Sequence, residues 1–135
     1  MQVINKLYPS DEQMDRLTSS PDSGAVHLLN LFKFRNKARY ADGRRSDLSG
    51  KQAYELYGKP MLKVLEKYGA EVIFYSDVTG LILGQVDELW DAFVIVKYPS
   101  RQALIDMTSS AEFKALSVHR EAGLEGQLNI ETKVP

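Results

Sequence analysis

The stretch Ala25–Arg35, AVHLLNLFKFR, decides the fold. In an extended chain Val26, Leu28, Asn30, Phe32 and Phe34 share one face, and His27, Leu29, Leu31, Lys33 and Arg35 share the other. Large apolar groups sit in the middle of both faces, so this strand is expected to be covered on both sides. One layer of helices covers only one face. Something else, such as a second subunit, must cover the other.

Working outward, Asn36–Gly50 (NKARYADGRRSDLSG) reads as a polar loop with a turn at Asp42-Gly43. Ser49 and Gln52 fit a capping box that opens a helix running toward Tyr68 and closing at Gly69. Tyr54, Tyr57, Met61, Leu65 and Tyr68 form its buried stripe. Gly58 and Pro60 lie inside the pattern. Proline removes a backbone hydrogen bond and clashes one turn back, which predicts a kink or break near Tyr57.

Ala70–Gly84 (AEVIFYSDVTGLILG) reads as a long or interrupted strand, bent or bulged at Asp77 or Gly80. Asp87-Glu88 then turns into a strand over Trp90–Tyr98. Ser100 caps a short helix through Met107, and Ser109 with Glu112 fits a second capping box for a helix to about Ala122. Gly123 ends it, and Leu124–Lys133 gives a last strand. At the other end, Ser10-Asp11-Glu12 opens a short helix with Met14 and Leu17 on one face, and Thr18–Gly24 is a cluster of turn formers. Residues 1–24 are thus an N-terminal extension with a short helix, and 25–135 a single domain. The order (α)βαββαβ, with the second helix split, predicts an α+β fold on the ferredoxin-like split βαβ plan. Its four-stranded antiparallel sheet carries helices on one face.

Composition narrows the function. Among 135 residues, Lys plus Arg is 17 and Asp plus Glu is 18, leaving a net charge of −1 and no overall field to hold nucleic acid or an anionic membrane. There is no cysteine, which excludes disulfides, Fe–S clusters, thiol catalysis and cysteine-based zinc sites. His27 and His119 are the only histidines, too few for a multi-histidine metal cage in one chain. No GxGxxG, P-loop, HExxH or GxSxG pattern occurs, so no cofactor is called for. The N-terminal residues lack an apolar export segment and no apolar run reaches membrane-spanning length, which makes the cytoplasm the expected compartment.

Several side chains are candidates for chemistry. Asn30 places an amide on a strand otherwise built of Leu and Phe, where it must find partners. It is either a substrate-orienting donor in a pocket under the helices or a structural bond to a neighbouring loop. Trp90 could line a pocket mouth, with Asp91 as a desolvated acid or base, or the pair could plug the sheet edge. His119 is the one histidine placed to act as a general base, and Arg120 beside it could clamp a carboxylate. Near a helix end, both could equally complement the helix dipole. Tyr54, Tyr57, Tyr75 and Tyr98 supply hydroxyls on apolar surfaces, suited to a small aromatic ligand or simply to a core. Arg35, Lys37, Arg39, Arg44 and Arg45 make the long loop basic: a lid that attracts anions, or a solvated loop.

The run Leu28-Leu29-Asn30-Leu31-Phe32-Lys33-Phe34 resembles the first strand of the domain of unknown function 1330 family. Further resemblance lies in Ser49-Gly50 leading to Tyr54 and Tyr57, in Trp90-Asp91-Ala92, and in Tyr98-Pro99-Ser100. Ala103, Met107, Ser110, Glu112-Phe113, His119-Arg120 and Gly123-Leu124 extend it, so that it spans roughly Val26 to Thr132. It implies a dimeric α+β barrel in which two ferredoxin-like sheets meet face to face, the second cover that the first strand demands. The family has no established activity. Its wider superfamily includes small monooxygenases, haem-degrading enzymes, lactone isomerases, decarboxylases and binding modules. The haem-degrading members combine an Asn, a Trp and a His, but Ser100–Met107 contains no histidine where theirs is expected, which sets haem oxygenation aside.

The reading is therefore a homodimer, joined through the sheet face, with one pocket per subunit lined by Asn30, Tyr57, Trp90 and His119. Asn30 and His119 are the catalytic candidates, and Tyr54, Tyr57, Trp90 and Arg120 the substrate-binding ones. The expected function is binding of a small organic molecule, with cofactor-free proton transfer or oxygenation as the open chemistry. The alternative is a non-catalytic dimerisation or ligand-binding module. Metal, nucleic acid and membrane have no part in either.

Overall fold

A computed structural model describes residues 1–19 and 24–135. Its elements, in chain order, are α1 (Asp11–Ser19), β1 (Val26–Phe34), α2 (Gly50–Lys67), β2 (Glu71–Asp77), β3 (Ala92–Tyr98), α3 (Arg101–Thr108), α4 (Ala111–Gly123) and β4 (Leu124–Thr132). The strands form one antiparallel sheet in the order β2-β3-β1-β4. That is the ferredoxin-like arrangement. Of the turn-forming cluster Thr18–Gly24, Ser20–Ser23 lie outside the described residues.

Local chemistry accounts for most boundaries. Ser49 accepts the amide of Gln52 while the Gln52 side chain accepts the Ser49 amide, the reciprocal capping box that starts α2. Such a cap stabilises a helix by about 1 kcal/mol. Gly69 takes the positive φ of 73° that follows the end of α2. Ser100 caps α3 through the amide of Ala103.

Four expectations need correction. Helix α2 runs unbroken through Pro60. Proline removes the bond to the Leu56 carbonyl, but Leu56 and Pro60 both lie on the exposed side, where water can serve that oxygen. The cap of α4 is Ser110, through the amide of Phe113, while Ser109 ends α3. Strand β2 stops at Asp77, and its register shift falls between Val72 and Phe74 rather than at Asp77 or Gly80. Strand β3 starts at Ala92, leaving Trp90 in the long connection after β2.

All the helices that pack on the sheet cover the face of Val26, Leu28 and Phe32. These residues meet Tyr54, Met61, Val64 and Leu65 of α2, Met107 of α3 and Leu124 in one core. Helices α2 and α4 approach through glycines. A Cβ on Gly123 would lie 2.3 Å from the Gly50 carbonyl oxygen, and one on Gly50 would lie 2.6 Å from the Gly123 oxygen. The basic loop is anchored rather than free: Arg39 donates to the Ala122 carbonyl and Ala38 to that of Leu48, while Tyr40 is buried against Ala53 and Ala122.

The other face of the sheet carries no helix among the described residues. Cross-strand pairing puts Leu29 and Leu31 beside Ile95 and Phe93 on one side, and beside Ile130 and Leu128 on the other. Phe74 extends the patch, its ring 5.6 Å from that of Phe93.

Candidate functional site

Between the helix-covered face of the sheet, helix α2 and the N-terminal segment lies a cavity of about 1230 Å³. Its floor is formed by Leu28, Asn30 and Phe32 of β1 with Val94 and Val96 of β3. Tyr54, Tyr57 and Met61 line it from α2, Phe113 and Arg120 from α4, and Leu7 and Tyr8 from the N-terminal segment. That segment is held by a two-way backbone pairing of Lys6 with Gln127.

The lining is mostly aromatic and aliphatic. The rings of Phe32 and Tyr54 are 4.9 Å apart, those of Tyr54 and Tyr57 5.4 Å, and Tyr57 meets Phe113 edge-on at 6.2 Å. Such contacts fix the phenols in place. Burial pushes the Tyr54, Tyr57 and Tyr98 hydroxyls above the ordinary phenol range, so they stay protonated and can donate. None of the three has a protein hydrogen-bond partner among the described residues.

One polar chain crosses the floor. Arg120 Nη2 donates to the Leu7 carbonyl at 2.6 Å and to Gln127 Oε1 at 3.1 Å, and Gln127 Nε2 donates to Asn30 Oδ1 at 3.3 Å. Asn30 Nδ2 donates to the Leu28 and Val94 carbonyls, each at 3.4 Å. The Asn30 contacts are at the long limit of hydrogen bonding and weak. Burial draws the Arg120 guanidinium below its ordinary value, opposed by nearby Tyr57 and Tyr54. It remains a cation at neutral pH.

Four of the six candidate residues therefore reach one cavity: Asn30, Tyr54, Tyr57 and Arg120. Trp90 and His119 do not line it, which corrects the expected pocket. Trp90 Nε1 donates to Asn5 Oδ1 at 2.9 Å and so fastens the N-terminal segment. His119 Nδ1 meets the Tyr40 hydroxyl at 2.6 Å, on the side of α4 that holds the basic loop. Asp91 accepts the Phe34 amide at 2.8 Å and closes the strand end. No residue of the basic loop lines the cavity either. Sequence reasoning passed over Gln127 and Tyr8. Gln127 was detectable: in β4 the polar Gln127 and Asn129 pair with Phe32 and Asn30 on the covered face, the reverse of an ordinary inward-apolar strand.

Fold and cavity together define a ferredoxin-like α+β domain with a cavity between its sheet and helices. The chain belongs to the family described as Domain of unknown function (DUF1330), whose model matches residues 43–133. It is similar to the RPA0582 protein of unknown function from Rhodopseudomonas palustris, with a TM-score of 0.87 at 28% identity over 98% of each chain. It also matches the methylated RPA0582 protein with a TM-score of 0.87 at 30% identity, over 97% of this chain and 96% of that one. The At3g17210 protein from Arabidopsis thaliana shares the fold, with a TM-score of 0.50 at 13% identity over 82% of this chain and 95% of that one. No functionally curated protein matches the chain. No helix among the described residues is long and apolar enough to cross a membrane.

Proposed function

We propose that this protein acts as a homodimer, joined sheet face to sheet face, in which each subunit binds one small organic molecule in the cavity. The observation that carries the binding reading is the set of three protonated phenols, Tyr54, Tyr57 and Tyr98, which line the cavity with buried or half-buried rings and have no protein hydrogen-bond partner among the described residues. A hydroxyl that lines a cavity without a protein partner takes its hydrogen bond from a ligand or from ordered water. Neither histidine lines the cavity. Binding is therefore favoured over catalysis, and any proton transfer or oxygenation would draw on the ligand's own reactivity.

The dimer rests on the open face. The chain exposes 9160 Å², against roughly 7,000 Å² for a monomer of this size. Part of the excess is the patch of Leu29, Leu31, Phe93, Ile95, Phe74 and Ile130, of which Phe74 is 54% exposed. An uncovered apolar patch of this kind marks an interaction surface.

Native mass spectrometry of gently purified protein tests both parts. The expected spectrum is a dimer that carries added mass or takes it up from a panel of aromatic compounds. A monomer would overturn the assembly. A dimer that gains neither mass nor melting temperature from any member of the panel would overturn the binding role.

A further inference from the structure

Resting on that binding role, we propose that the cavity selects a monocarboxylate with an apolar, aromatic-sized body, the carboxylate seated against Arg120. Three arginines line the cavity, and two of them already face a carboxylate. Arg101 grips Glu131 through two bonds, Nε to Oε2 at 2.7 Å and Nη2 to Oε1 at 2.6 Å, and Arg16 reaches the same Oε1 at 3.4 Å. Arg120 is buried, only 8% exposed, and no carboxylate contacts it among the described residues.

An uncompensated buried cation is expensive, and proteins ordinarily pair it. Here the protein supplies only neutral acceptors, the Leu7 carbonyl and Gln127, and both are taken by Nη2. The Nε and Nη1 hydrogens have no protein acceptor among the described residues and are not sealed away from the cavity that Arg120 lines. The Tyr8 ring lies 5.4 Å from the guanidinium carbon and flanks it on one side. The neighbouring phenols are further donors. Lys6 and Lys59 also line the cavity but are exposed, so Arg120 is its buried cation without a carboxylate; with the neutral phenols and the walls of Phe32, Met61 and Phe113 it suits a single negative charge on an apolar body.

Calorimetric titration of the intact protein with 1-naphthylacetate, its neutral isostere 1-naphthylacetamide, and acetate tests this. The expected result is that naphthylacetate binds at least tenfold more tightly than the amide, with acetate far weaker than both. Arg120→Gln is expected to bring naphthylacetate down to the affinity of the amide and to leave the amide within about twofold. Equal affinity of acid and amide in the unaltered protein overturns the carboxylate assignment while the binding role survives. That comparison needs no variant to fold. A preference that persists in Arg120→Gln also overturns it, and shows that Arg120 serves only to hold the Leu7 carbonyl. If none of the three probes, nor any neutral aromatic compound, binds at millimolar concentration, the binding role falls together with the inference.

Discussion

The two faces of one sheet make opposite use of the same kind of side chain. On the covered face Leu28, Phe32 and Val94 are buried within the chain, and the space left between sheet and helices becomes a cavity with a polar thread through Asn30, Gln127 and Arg120. On the open face Leu29, Leu31, Phe93 and Ile95 alternate with them in the same strands, and no helix among the described residues covers them. Where a face is closed by its own chain, polar residues can be held at chosen positions. Where it is left apolar and flat, it is suited to a second copy. The cavity and the open apolar face are thus separated by the thickness of one sheet.

The sharpest way to break this division is a charge in the middle of the open face. Leu31 stands between Phe93 and Leu128. Leu31→Asp is expected to raise the dimer dissociation constant about 1,000-fold, a cost of about 4 kcal/mol, measured by sedimentation. A wild-type dimer that tolerates the change would show that the sheets do not meet. The covered face is tested next, at the glycine contact. Gly123→Ala forces a methyl group to 2.3 Å from the Gly50 oxygen, and a loss of about 3 kcal/mol is expected in chemical denaturation. Gly58 is the control. Its nearest neighbour would be Tyr54 at 3.9 Å, and alanine there is expected to add about 0.5–1 kcal/mol. Comparable in size is Asn30→Ala, expected to lower stability by about 1 kcal/mol while weakening ligand binding at least tenfold. Unchanged binding would reduce Asn30 to a structural bond.

The covered face was the more legible of the two in sequence, and local signals explain why. The Ser49–Gln52 box and the glycine after α2 act over a few residues, so they could be read directly. Ser109 and Ser110 could not be told apart, because two adjacent serines offer the same cap and packing chooses between them. The proline rule failed at Pro60 because the apolar stripe of Tyr54, Met61 and Leu65 holds the helix together on the buried side. In the site, Asn30, Tyr54, Tyr57 and Arg120 come together because periodicity assigns them to the face of the core. Trp90 and His119 go elsewhere because their partners, Asn5 and Tyr40, lie 85 and 79 residues away in the chain, a pairing no local pattern encodes.

The finest test of the difference between the faces uses pH. Tyr54, Tyr57 and Tyr98 all belong to the covered side, and burial raises each above the ordinary phenol value. In the unfolded chain these groups release their protons near pH ~10, while in the folded protein they keep them. The unfolded state therefore binds fewer protons above that point, and stability falls as pH rises. The melting temperature is expected to be insensitive to these phenols below pH ~10 and to decline above it, with their phenolate absorbance appearing only as the protein unfolds. Lysines with raised values, Lys33 and Lys51, fall away over the same range, so the phenol share must be isolated. Tyr57→Phe combined with Tyr98→Phe removes two of the three groups and is expected to make the alkaline decline shallower. A decline of unchanged steepness would mean that the phenols titrate freely, and that the covered face is as open to water as the other.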